Sequence, residues 1–424
     1  MDETITGRGF LVHAWTRSGQ VRMAGRLDSG ESFALTLPAP PTALLVEAAA
    51  GERARQVLAA QGFKQGGALD GNIPHTPVDP VVPTHPDSPG VQDDVFPNQT
   101  FSGRALVALP VEADAWSAAS RALESAGIRV HGEAPRPAED LLTRRGIRGL
   151  LGIRGPVRPA KRVGRFWQDP EISRDEGPLV PLRWLALDIE TSREGHVRAI
   201  SLAGRYPPHV SLAAVNPPAP TPAPTPLDAH QPAPLSDPSL PPSNPGDAGI
   251  FGVDEVLFRG PPTGDPAIVT YASEAGLLKA FLARIQAIDP DVLTGWNVID
   301  FDLELLCRRC AELSIPFLLG RSDESARVEK RPGQRTRCFI PGRQAVDAMQ
   351  LMRGSGTRFE DQTLDTVAHS LLGTGKTVQA RGEDKMAELD RLYRDDPLAF
   401  CRYCLEDSRL VIRILEKTGP DSLT

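Results

Sequence analysis

The run Trp184-Leu185-Ala186-Leu187-Asp188-Ile189-Glu190-Thr191 places two carboxylates directly after apolar residues. Such a stretch reads as a buried strand of an α/β sheet. Side chains alternate faces along a strand, so Asp188 and Glu190 point the same way, about 6–7 Å apart. Two same-facing acids at the end of a buried strand carry a large desolvation cost unless a cation pairs with them. Carboxylate oxygens suit hard divalent ions such as Mg²⁺ and Mn²⁺. One reading is a metal site at a strand end; the other is two solvated acids at a strand terminus.

Two further segments carry acids at suggestive spacing. Asn297-Val298-Ile299-Asp300-Phe301-Asp302 follows a helical pattern over 274–288, a stop at Asp289-Pro290 and a short strand over 291–294. Gly295 permits a tight turn, and a new helix is expected to begin near Phe301 or Asp302 with Leu303, Leu306 and Cys307 inward. An Asp at a helix N-terminus is also explained by the helix dipole alone. Tyr403 and Asp407 lie in an amphipathic pattern over 398–417 whose core candidates are Leu405, Leu410, Val411, Ile414 and Leu415. Four residues apart, they share a face and can act on one object, or form an ordinary surface pair.

In this order, D-x-E, N-x-x-x-F-D and Y-x-x-x-D resemble the three exonuclease motifs of family-B DNA polymerases. Three other stretches are similar to the bacterial DNA polymerase II branch of that family: 9–15 (GFLVHAW), 342–347 (GRQAVD) and 363–376 (TLDTVAHSLLGTGK). The resemblance covers nearly the whole chain except two Pro-rich insertions. It implies an α/β, ribonuclease-H-like exonuclease domain with a mixed central sheet, behind a β-rich α+β N-terminal domain. It also implies metal-dependent 3′→5′ hydrolysis of DNA at single-stranded or mismatched 3′ ends, used in proofreading. Two Mg²⁺ or Mn²⁺ ions would be held by Asp188, Glu190, Asp302 and Asp407, and Tyr403 would orient the attacking water. Thr191, Asn297 and Phe301 would meet the unpaired 3′ end, where an aromatic ring can stack on a base. The polymerase motifs D-x-x-S-L-Y-P-S and D-T-D are not found in the sequence, so this chain resembles only the N-terminal half of such an enzyme. The partners implied are DNA and, further off, a sliding clamp or a separate polymerase half.

The composition fits two or three domains: 424 residues, 40% hydrophobic, with 41 Pro and 38 Gly. No apolar run approaches the ~20 residues needed to span a bilayer, and no secretion signal is seen, so a cytoplasmic protein is expected. The net charge of −7 does not announce a nucleic-acid binder. Locally, residues 141–168 hold Arg144, Arg145, Arg148, Arg154, Arg158, Lys161, Arg162 and Arg165 without an acid. That block reads either as a phosphate-attracting surface or as a solvated, partly disordered connector.

Five cysteines form no disulfide framework. Cys307-x-x-Cys310 and Cys401-x-x-Cys404 raise a four-thiolate zinc site, but both pairs fall in helical patterns with apolar partners of their own. The sequence thus leaves two rivals to the nuclease: a DNA-binding scaffold without turnover, and a zinc-stabilised interaction module. Gly373-Thr374-Gly375-Lys376-Thr377 invites a phosphate loop, yet Ser370 stands where the pattern needs Gly, and Gly373 reads better as a helix cap.

The expected organisation is an accessory domain over 1–180 with a Pro-rich insertion at 69–100. An exonuclease domain follows over 181–418 with a second insertion at 216–249, then a short tail at 419–424. Strands are expected at 8–15, 19–27, 31–37, 42–46 and 104–109, and helices at 51–61, 111–127 and within 135–151. Beyond 182, strands at 197–203 and 210–215 complete a three-stranded meander, order returns at Val253, a strand covers 344–347 and a helix 364–372.

Overall fold

The computed structural model describes residues 4–40, 42–63, 106–132, 134, 136–205, 252–330, 333, 335–374 and 383–419. Both Pro-rich insertions, the strand expected at 210–215 and the tail from 420 lie outside the described residues.

The N-terminal elements are β1 (Thr4–Arg17), β2 (Gln20–Leu27), β3 (Ser32–Pro38), β4 (Thr42–Glu47), α1 (Gly51–Ala60), β5 (Leu106–Val111), α2 (Trp116–Ser125), β6 (Val130–His131), α3 (Pro137–Arg144), β7 (Leu150–Arg158), β8 (Arg165–Gln168) and β9 (Glu171–Arg174). One sheet runs β1-β2-β3-β8-β7-β9, and β1 also pairs with β7, so five strands close on themselves and β9 hangs on the edge. Closure removes most exposed strand edges and encloses a core of Met23, Phe33, Leu35, Leu151, Ile153 and Trp167. A second sheet, β5-β4-β6, packs its Leu44, Val46 and Leu109 against Leu58 of α1 and Trp116 and Leu123 of α2.

The basic block is therefore not a disordered connector. It supplies the end of α3, β7 and β8, and Arg154, Arg162 and Arg165 pair with Glu171, Asp323 and Glu31. Its pattern hid a strand because exposed Arg154 and Arg158 and the residues Gly152, Gly155 and Pro156 interrupt the apolar run, while Leu151 and Ile153 point inward.

The second half comprises β10 (Trp184–Thr191), β11 (Val197–Gly204), β12 (Val253–Phe258), β13 (Ile268–Thr270), α4 (Glu274–Ile288), β14 (Val292–Gly295), α5 (Asp302–Glu312), β15 (Arg327–Glu329), β16 (Arg337–Phe339), β17 (Gln344–Asp347), α6 (Ala348–Gly354), α7 (Leu364–Leu372), α8 (Glu383–Asp395) and α9 (Pro397–Thr418). Its sheet has the order β13-β12-β11-β10-β14-β17, with β10, β14 and β17 parallel and β11 antiparallel to β10. The described meander is β10-β11-β12, its third strand supplied by Val253–Phe258.

Residue alternation on β10 sorts the two layers. Leu185, Leu187 and Ile189 enter a core with Leu277, Phe281 and Ile285 of α4 and Leu303 and Leu306 of α5. Ala186, facing the other way, packs with Val367 of α7 and Leu410, Val411 and Ile414 of α9. Asp188 and Glu190 continue that second face. The expected core residues of α9, Leu405, Leu410, Val411, Ile414 and Leu415, are all buried. In α5, Leu303 and Leu306 are buried but Cys307 only partly so.

Candidate active site

The site forms where the parallel strands stop. β10 pairs with β14 only from Trp184 to Ala186, because β14 ends at Gly295 and the chain turns away. A Cβ on Gly295 would stand 2.6 Å from the Leu187 carbonyl oxygen, so only glycine lets this turn lie so close to β10. The departure opens a cleft of about 990 Å³ beside the C-terminal half of β10. Carboxyl ends of parallel strands are the usual place for ligands in such sheets.

Asp188, Glu190 and Asp407 each offer a carboxylate oxygen, all within 4.8 Å of one another. Asp407 arrives on α9, which lies across β10 and β11. Ser201 sits opposite Asp188 in the β10–β11 register, and its hydroxyl donates to the Cys404 carbonyl at 2.8 Å and lies 2.7 Å from the Ser408 hydroxyl. Small residues at this contact allow the helix to approach closely enough for Asp407 to reach the strand acids. Among the described residues, this is the only group of three or more His, Cys, Asp or Glu side chains placed to hold a metal ion. Its donors are all hard oxygens, which fit Mg²⁺, Mn²⁺ or Ca²⁺ rather than thiophilic ions.

Asp302 stands beside this triplet and does not join it. It is 2% exposed, opens α5, and accepts a hydrogen bond from the Ile189 backbone N–H at 3.1 Å. It thereby supplies the acceptor that β14 no longer offers to β10. Burial first, then the nearby Glu190 and Asp347 charges, push its carboxyl well above the usual range. Tyr403 is 3% exposed, and its hydroxyl hydrogen-bonds Asp407. Burial, then Asp407, Glu190 and Asp188, raise its pKa, so the phenol keeps its proton.

Thr191, Asn297 and Phe301 line the cleft together with Asp188, Glu190 and Asp407. Asn297 holds a φ of 63° in the left-handed region, and Phe301 is 47% exposed, so its ring faces the opening. Trp296 also lines the cleft and is held by its indole N–H donating to the Gln362 carbonyl at 2.9 Å.

Sequence reasoning missed the opposite walls. α6 contributes Met349 and Arg353, and α8 contributes Lys385, Met386 and Leu389. The Lys385 ammonium lies 5.4 Å from the centre of the Tyr403 ring, which brings a cation beside the acid triplet. The signal for α8 was weak: Leu389, Leu392 and Tyr393 are its main apolar contacts in an otherwise charged stretch.

The two C-x-x-C pairs do not converge. Cys310 lies in the core under β10 on the α4–α5 side, whereas Cys401 and Cys404 pack with Phe258 and Phe400 under α8 and α9. The four-thiolate reading is thus overturned: each pair faces its own apolar core, and burial holds the Cys310 and Cys401 thiols at about 12. Cys404 has another neighbour. Its sulfur lies 3.8 Å from Asp188 Oδ2, and burial followed by the Asp188 and Glu190 charges keeps it a thiol.

A mixed sheet with clustered carboxylates at a strand end and an acid-bearing helix across it defines a ribonuclease-H-like nuclease fold. The family model "DNA polymerase family B, exonuclease domain" matches residues 255–367. The chain is 28% identical over 305 residues to DNA polymerase II of Escherichia coli, covering 70% of this chain and 32% of that protein. It is 30% identical over 162 residues to the DNA polymerase delta catalytic subunit of Bos taurus, covering 35% and 14%. A solved family B DNA polymerase from Pyrobaculum calidifontis superposes with a TM-score of 0.59 at 15% identity, covering 98% of this chain and 46% of that one. Residues 255–367 thus match the exonuclease domain of the family B DNA polymerases, and the chain is similar to DNA polymerase II over most of its length. It spans about a third of the length of the E. coli relative and 14% of the Bos taurus one. Among the described residues, no helix is long and apolar enough to cross a membrane.

Proposed function

We propose that this chain hydrolyses phosphodiester bonds at unpaired 3′ ends of DNA, one nucleotide at a time, with Mg²⁺ or Mn²⁺ held at Asp188, Glu190 and Asp407. Asp302 completes the acidic set from behind β10. The observation that carries this reading is the convergence of the three carboxylates, from strand and helix, within 4.8 Å at the floor of an open cleft.

Divalent ions bound by such a set lower the pKa of an attacking water and neutralise charge on the phosphoryl oxygens. The residues of the chain do the rest. Tyr403, neutral and bonded to Asp407, holds a water by hydrogen bond and does not act as a base. Lys385 and Arg353 bring positive charge to the walls for the strand's phosphates. Phe301, Trp296 and Met386 present rings and a thioether on which unpaired bases rest. A paired end must be melted before it can enter, so mismatched ends enter at lower cost, which is the selectivity proofreading requires. We also infer that the β-rich part up to about residue 180 is an accessory domain to the nuclease part that follows.

The test is a time course on a 5′-labelled single strand, with duplexes bearing a matched or a mismatched 3′ end, in Mg²⁺ and in Mn²⁺. Stepwise shortening, fastest on the single strand and faster on the mismatch than on the match, is the expected result. Intact substrate with folded protein in every metal would overturn the reading in favour of a binding module without turnover.

A further inference from the structure

Asp347 ends β17 and precedes α6, and it is 4% exposed. Its Oδ1 accepts from the Gln350 backbone N–H at 3.2 Å, and its Oδ2 from the Ile299 N–H at 3.3 Å. The Asn297 and Met349 backbone N–H groups also donate to it. Capping α6 accounts for the bonds from Met349 and Gln350. It does not account for those from Asn297 and Ile299, which belong to a turn some 50 residues earlier in the chain.

That second pair ties the start of α6 to the turn after β14. The Asn297 turn leads to Phe301 on one wall; α6 carries Met349 and Arg353, four residues apart and on one helix face, on the adjoining wall. A single carboxylate thus fixes the spacing of two walls. It also steadies Asn297 in its left-handed conformation, which a non-glycine residue keeps only when its surroundings over-determine it. Asp347 is not among the residues lining the cleft, so its influence on a substrate passes through these neighbours.

We propose that Asp347 is a positioning residue for the unpaired DNA strand, setting the grip of Asn297, Phe301 and Arg353. The inference rests on the nuclease reading for its substrate class. The residue acts on binding of the strand and leaves the acid triplet untouched.

Asp347→Ser keeps a capping oxygen for α6 but is too short to reach the turn; Asp347→Asn keeps the length with only one accepting atom. Both are measured in the full chain, beside Asn297→Ala and the double variant Asp347→Ser/Asn297→Ala. The readouts are KM and kcat on a labelled oligothymidine with Mn²⁺, and Kd for the same oligomer by fluorescence anisotropy in Ca²⁺. The expected result is a rise of about tenfold in KM and Kd, the size of one or two lost buried hydrogen bonds, with kcat within about threefold of wild type. The double variant should lose clearly less than the sum of the two single losses, because part of the effect of Asp347 passes through Asn297. Unchanged KM and Kd in either folded Asp347 variant, additive losses in the double variant, or a fall in kcat at constant KM would each overturn the proposal. Should the wild type bind the oligomer without cleaving it, the nuclease reading fails while the anisotropy series still decides the role of Asp347.

Discussion

Arg26 of β2 grips Asp291 at the start of β14, Nε to Oδ2 at 2.9 Å and Nη2 to Oδ1 at 3.1 Å, across 265 residues of sequence. Both side chains are buried. Arg321 joins Asp291 at 2.7 Å and Asp289 at 2.8 Å, and Arg343 reaches Asp289 at 2.8 Å. Three guanidiniums thus surround two carboxylates where the closed N-terminal sheet meets the strand that leads to Asn297 and Asp302. Burial, opposed by the three arginines, is overcome: both carboxyls stay below their usual range. Arg343 carries the excess charge, and burial and Arg321 bring it down to about 10.

Removing one partner strands the others in a dry site. Asp291→Ala should destabilise the fold by about 3–5 kcal/mol, the usual cost of breaking a buried ion pair by deleting one side. Urea unfolding gives the value. Arg26→Ala should show a comparable loss and should also loosen the N-terminal sheet, read as earlier hydrogen exchange in β2. A loss under about 1 kcal/mol in both variants would show that the network is not a structural lock.

Much of the site was legible because two of the three motifs each lie within one element. D-x-E on a strand and Y-x-x-x-D on a helix fix their faces by period alone, and both elements form where the pattern placed them. The β7–β8 strands and α8 were not legible. In β7 the exposed Arg154 and Arg158 and two glycines interrupt the apolar run, β8 is only four residues long, and α8 is a mostly charged stretch with few apolar residues to show a period. The part played by Asp302 was hidden for a different reason. Its bond to the Ile189 N–H depends on β14 leaving β10 after Ala186, a tertiary event that no local spacing encodes.

Asp407→Asn keeps the size of the side chain and removes its charge. With one of three converging carboxylates neutralised, kcat should fall at least about a hundredfold, while the circular dichroism spectrum and unfolding midpoint stay near wild type. Mn²⁺ titration followed by electron paramagnetic resonance should show weaker binding in the same variant. Unchanged Mn²⁺ affinity would remove Asp407 from the metal set.

Lys385→Ala tests the wall that the sequence did not reveal. The ammonium lies beside the Tyr403 ring and faces the cleft, so its loss should lower kcat/KM by about 10- to 100-fold. One phosphate contact fewer should also reduce the slope of log Kd against log salt by roughly 0.7 for a single strand. An unaltered salt slope would place Lys385 outside the path of the strand.

Glu274 offers a prediction on pH. At the start of α4 it accepts from the Val197 N–H at 2.9 Å and from Arg309 at 2.8 Å, and so ties the first residue of β11 to the helix behind it. Burial would raise its carboxyl, but the hydrogen bonds from Arg309 and Val197 and the nearby His196 outweigh that and hold it at about 2, against an ordinary 4.5. A depressed carboxyl contributes stability above its unfolded pKa and loses it as the pH falls through the folded one. The difference in unfolding free energy between wild type and Glu274→Gln should therefore be constant from neutral pH down to about 5.5. It should then shrink between pH 4.5 and about 2 as the wild-type carboxyl takes up its proton. Comparing the two proteins cancels the titration of the other acids, so a difference that stayed flat across this window would show that Glu274 is not held ionised by Arg309.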